Sequence, residues 1–232
     1  MSMSASLPMT KKRYPLLDYI RGVAIVLMII FHGSYDLNLF GFIEVDFFKD
    51  NFWYVFPRVI VALFMFSVGC GLTLAHKNSI KWNSFWKRFL KLVACAIAIT
   101  IATYYMFPQS WVYFGTLHSI AVCSLIVLPF LKYPRVSLVV GLILIIPHLI
   151  LGYSIPWPLL NHNSMDYISP FPWVGVVLLG VFATHKGWIK IEFKDNAILK
   201  FLEFIGIHSL VIYMIHQPFL YALAWLLYEF TS

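Results

Sequence analysis

Seven apolar stretches, at about 17–39, 53–75, 89–107, 115–131, 136–153, 169–185 and 205–228, restrict this chain more than any other feature. About 20 mainly apolar residues in helix, rising ~1.5 Å each, cross the hydrocarbon core of a bilayer. No water reaches the backbone there, so each stretch must close its own hydrogen bonds as a helix. A soluble core cannot absorb these runs. Of 232 residues, 61% are hydrophobic and only 12% are charged, against about 25% charged in a soluble domain. The reading is an all-α polytopic membrane helix bundle of seven transmembrane helices. Pro218 removes a backbone donor from the last span and predicts a kink there.

The net charge of +7 is explained by position rather than by a nucleic-acid partner. Lys and Arg gather on the cytoplasmic side of membrane proteins. If the segment with Lys11, Lys12 and Arg13 is cytoplasmic, alternate crossings place all but Lys49 and Arg58 of the 17 basic residues on that side. The amino terminus is therefore expected in the cytoplasm and the carboxyl terminus outside. The organisation is a short polar segment, 1–13, followed by one membrane-embedded domain, 14–232. The first ten residues lack the apolar core of a cleaved leader.

An ionisable side chain inside a membrane helix costs several kcal/mol, so each is a functional candidate. The first span carries Arg21, His32 and Asp36. At 100° per residue, the eleven positions from Arg21 to His32 return to within about 20° of one face, ~16 Å further along the axis. Asp36 lies one turn beyond His32 and is expected to orient its imidazole. Arg58 enters the second span behind Pro57 at a depth that approaches His32. His118 sits just inside the fourth span, and His216 near the middle of the last. Each also has a structural reading: Arg21 and Arg58 have the reach to snorkel to headgroups, and the histidines to join neighbouring helices. The face Ser67-xxx-Gly71 reads as helix packing.

Other chemistry has no motif. HxxxH and HExxH spacings are missing, so no metal is expected, and GxGxxG, GxxxxGK[ST] and GxSxG are absent. Cys70, Cys95 and Cys123 fall within apolar runs without a CxxC and read as small buried residues.

The segment Leu17-Asp18-Tyr19-Ile20-Arg21-Gly22, followed by Phe31-His32, resembles the first helix of acyltransferase-3 membrane acyltransferases, with their arginine, ten intervening residues and histidine. Gly33-Ser34-Tyr35-Asp36, Phe56-Pro57-Arg58, Gly115-Thr116-Leu117-His118-Ser119 and Ile212-Tyr213-Met214-Ile215-His216-Gln217-Pro218 resemble, in order, blocks of bacterial members of the heparan-α-glucosaminide N-acetyltransferase catalytic-domain family. The resemblance implies a multi-pass acyltransferase of the bacterial cytoplasmic membrane. It would move an acetyl group from cytosolic acetyl-CoA to an amino or hydroxyl group of an extracytoplasmic glycan. Where acyltransferase-3 members carry an arginine pair, this chain has Arg88 and Lys91 beside Lys87, which keeps the charge and changes the geometry.

On that reading Arg21, Lys87, Arg88 and Lys91 would bind the phosphates of acetyl-CoA, the acyl donor. His32, with Asp36, would serve as general base or acetyl carrier. Arg58 or His118 would stabilise the thioester oxygen as it gains charge, and His216 would be a second acid or base. The outer residues Trp157, Asn161, His162, Asn163 and Asp166 fit either a sugar platform or an interfacial aromatic belt. A homodimer is compatible with the phenylalanine-rich faces. A proton-coupled transporter or channel would use the same buried polar residues as a relay, and a scaffold would use them only to join helices.

Overall fold

A computed structural model describes residues 14–47, 49–194 and 196–231; the expected 1–13 segment lies outside them. Those residues form eight α-helices and no strand: α1 (Pro15–Leu39), α2 (Asn51–His76), α3 (Trp82–Met106), α4 (Thr116–Val127), α5 (Pro134–Leu151), α6 (Trp173–Lys186), α7 (Ala197–Ile207) and α8 (Ser209–Thr231). Of these, α1, α2, α3, α5 and α8 are long and apolar enough to cross a membrane. The expected fourth and sixth spans are shorter apolar helices, Thr116–Phe130 and Trp173–Lys186. The seventh is α8, which begins at Ser209, directly after the separate short helix α7, and continues through Pro218.

Local chemistry sets the ends. Pro15 and Pro134 occupy first positions, where a missing N–H costs nothing. Asp50 and Asn196 cap α2 and α7 by accepting from Phe52 N and Leu199 N, each at 2.8 Å. Gly152 and Gly187 end α5 and α6 at φ 66° and 79°, a conformation that penalises a Cβ.

Helices α2 and α6 form the centre. A Cβ at Gly69 would overlap the Val177 carbonyl, and one at Gly180 would overlap that of Phe66. The two glycines therefore let the backbones touch, which is how helices gain van der Waals contact without a hydrophobic drive. Met65, Leu72, Val127, Val177, Leu178 and Val181 pack around them, fully buried. Helix α7 lies against α1 in the same way, with Gly22 on the Leu202 carbonyl and Gly206 on that of Asp18. The peripheral helices α3, α5 and α8 expose Ile97, Ile101, Ile143, Leu149 and Phe219, surfaces that lipid covers.

Candidate functional site: a basic cavity leading to a histidine pair

The first element is a partly open cavity of about 400 Å³ lined by residues of α1, α2, α3, α4 and α8. Arg21, Arg88 and Lys91 line it, with Ser67, Ser209 and Tyr213. Arg88 and Lys91 share a face of α3 three residues apart, while Lys87 is turned to the exposed side and does not line the cavity. The two arginines converge on Gly71, where an added Cβ would stand 3.1 Å from Arg21 Nη2 and 3.4 Å from Arg88 Nη1. Ser67 and Gly71, one turn apart, thus face the arginines; the expected packing glycine of this helix is Gly69 instead. Arg21 donates to Asp18 Oδ1 at 3.3 Å, one turn back on α1. Two neighbouring guanidinium groups around open space have the charge and geometry to receive an anion.

The second element lies between α1 and α8. The rings of His32 and His216 sit 4.9 Å apart, at 66° to each other. His216 Nδ1 stands 2.7 Å from the Tyr213 carbonyl. A carbonyl only accepts, so Nδ1 carries the proton and Nε2 keeps a lone pair. That Nε2 is buried and has no partner among the described residues. Tyr213 joins the two elements, because it also lines the cavity.

Asp36 is 1% exposed, and its carboxylate accepts from Gln217 Nε2 at 3.0 and 3.2 Å. Its hydrogen-bond partner is thus on α8, not the His32 imidazole expected to lie beside it. The spacing places both on one face of α1, but α8 brings Gln217 to the carboxylate, and no bond joins Asp36 to the imidazole among the described residues. Gln217 and Tyr213 were not singled out as site residues; the only sequence signal for them is their neighbourhood to His216.

Two further candidate residues are placed apart from the histidine pair. Arg58 is exposed and turns back along α2, donating to the Tyr54 carbonyl and stacking 3.4 Å above the Tyr54 ring. It shares no hydrogen bond or ring contact with the histidine pair, because the α2 position it occupies faces outward. His118 is spent on the start of α4. Its Nδ1 accepts from Gly115 N at 3.1 Å, so its other nitrogen is the protonated one, 3.3 Å from Thr100 Oγ1. Gly115 has no side chain to cap this helix, and Asp166 supplies the oxygen, accepting from Thr116 N at 3.1 Å. Burial holds the Asp166 carboxyl above its ordinary 3.8, against the pull of its bonds from Thr116.

The outer aromatic residues pack on one another. Trp111 and His162 rings lie 5.3 Å apart, with His162 Nε2 3.1 Å from the Trp111 carbonyl, and Phe114 meets Trp157 at 5.5 Å. No group of three or more His, Cys, Asp or Glu among the described residues is arranged to hold a metal ion.

No curated protein and no solved structure matches the chain. Residues 13–218, most of its length, match the family described as heparan-alpha-glucosaminide N-acetyltransferase, catalytic. Both the cavity and the histidine pair lie within the matched stretch, and the chain belongs to that family of membrane acetyltransferases.

Proposed function

We propose that this protein takes acetyl groups from acetyl-CoA on the cytoplasmic side and delivers them to an amino or hydroxyl group of a glycan or related acceptor outside. The membrane would be the bacterial cytoplasmic membrane, with the start of α1 on the cytoplasmic side, as the basic residues favour. The observation that carries this reading is the cavity. Arg21, Arg88 and Lys91 line a space that Tyr213 also lines, and Tyr213 is one helical turn before His216.

In the transfer, the acceptor N–H or O–H adds to the thioester carbonyl, the C–S bond breaks, and the acceptor's proton ends on the CoA thiol. His32 is the base, or carries the acetyl group between two steps. His216, whose Nε2 keeps its lone pair, is the acid–base partner beside it. Asp36 and Gln217 fasten α1 to α8 beside the histidines, so the two rings keep their spacing. A proton-coupled transporter built on the same histidines has no use for an arginine-lined anion cavity.

The test is a thermal-shift titration of the detergent-purified protein with acetyl-CoA, with ATP as the anion control. A ligand at a hundred times its dissociation constant stabilises by about 2.7 kcal/mol. A shift with acetyl-CoA well above that with ATP is the expected result. Equal shifts, or none at saturation, would overturn the reading.

A further inference from the structure

Four of the seven buried serine and threonine residues on the described helices share one habit. Thr73, Ser124, Ser137 and Thr184 each donate to the carbonyl four residues back, at 2.8, 2.7, 3.0 and 2.9 Å. In a membrane bundle this is the simplest way to satisfy a hydroxyl. Ser67 departs from it. Its side chain is 2% exposed, and its Oγ has no partner among the described residues. It lines the basic cavity, on the α2 face where Gly71 makes room for the guanidinium groups of Arg21 and Arg88. A buried donor left without a partner keeps the cost of its lost hydration. Facing two arginines, the group that would relieve that cost is an anionic oxygen.

Resting on the acetyl-CoA reading above, we propose that Ser67, Arg21 and Arg88 hold the diphosphate of the donor, and that its 3′-phosphate is left to Lys91 at the exposed rim. Length decides between the two phosphate groups. The pantetheine arm, from diphosphate to sulfur, is an extended chain of about four residue-lengths, or ~15 Å. Arg21 and His32 are eleven residues apart on α1, ~16 Å along the axis. A diphosphate seated at the arginines therefore brings the thioester to the level of the histidine pair. A 3′-phosphate seated there would add the ribose and the diphosphate to the reach and carry an extended thioester past the histidine pair. The guanidinium forks suit adjacent phosphate oxygens, and the Ser67 hydroxyl donates to a third.

The experiment compares CoA, dephospho-CoA, 4′-phosphopantetheine and pantetheine as ligands of the purified full chain, with wild type, Ser67→Ala, Ser67→Thr and Arg88→Gln. Dephospho-CoA, which lacks only the 3′-phosphate, should bind within about five-fold of CoA, because an exposed lysine contact is weak. Ser67→Ala should weaken CoA and dephospho-CoA equally, by about ten-fold, as expected for a hydrogen bond to a charged group. Ser67→Thr, which returns the hydroxyl, should recover affinity. Without ligand, Ser67→Ala should melt at or above the wild-type temperature, since it removes an unsatisfied donor. The proposal is overturned if Ser67→Ala leaves CoA binding unchanged, or if the penalties of Ser67→Ala and Arg88→Gln vanish with dephospho-CoA. Either result leaves the acetyl-CoA reading standing. Failure of the wild-type protein to bind any of the four ligands would remove both.

Discussion

Replacing Gln217 with Met removes the only hydrogen-bond donor, among the described residues, to a carboxylate that is 1% exposed. Methionine keeps the length of the side chain, so the loss is chemical rather than steric. The Gln217 carbonyl oxygen has no partner among the described residues, so the change removes no other bond they make to this side chain. Hydrogen bonds to charged groups contribute about 1.5–3 kcal/mol, and stranding a buried charge costs about 3–5 kcal/mol. The two contacts come from one nitrogen, at 3.0 and 3.2 Å, so the expected cost is about 3 kcal/mol, at the lower edge of that range. For a chain of this size each kcal/mol moves the melting temperature by about 2–4 °C, so Gln217→Met should melt roughly 6–12 °C lower. Thermal unfolding in detergent reads this directly. The double variant Asp36→Leu, Gln217→Met removes both partners and should recover most of the loss, with a coupling of about 2 kcal/mol. A single variant that melts with wild type, or a double variant as unstable as the summed singles, would refute the argument that Asp36 depends on Gln217.

Other variants separate structural from chemical roles. His118→Ala should lower stability by about 1 kcal/mol, the value of a helix cap, and leave acetyl transfer in the folded fraction within about two-fold. His216→Ala should cost at least a hundred-fold in transfer with little change in melting, as expected for an acid–base group. Gly69→Ala places a Cβ against the Val177 carbonyl and should destabilise by about 3 kcal/mol in a melting assay. Gly33→Ala, whose Cβ would meet only Leu220 Cδ2 at 3.9 Å, should be neutral or stabilising by up to about 1 kcal/mol. The raised Asp166 carboxyl contributes stability that is complete below its unfolded value of about 3.8 and is lost as pH rises through its higher folded value. Asp166→Asn keeps an oxygen for Thr116 and should flatten that part of the melting-temperature profile against pH.

The sequence by itself determined which segments become helices and which polar residues they must carry into the bundle. Apolar length and backbone satisfaction are local properties, and the 3.6-residue period places Arg21 and His32 on one stripe whatever packs beside it. The blocks around Arg21, His32 and His216 were also sufficient to indicate the family that the chain matches over residues 13–218. Only the tertiary structure decided which group each polar residue meets. Asp36 is one turn from His32 in the chain, but its partner is Gln217, 181 residues away. Arg58 and His118 have the right types at plausible depths, but one faces outward onto Tyr54 and the other closes the first turn of α4. Lys87 stands beside Arg88 in sequence and outside the cavity in space. The physical reason is common to all of these: spacing fixes the face of a helix, whereas the neighbour of that face depends on where backbones can approach. Here that is set by the glycine contacts of α2 with α6 and of α1 with α7.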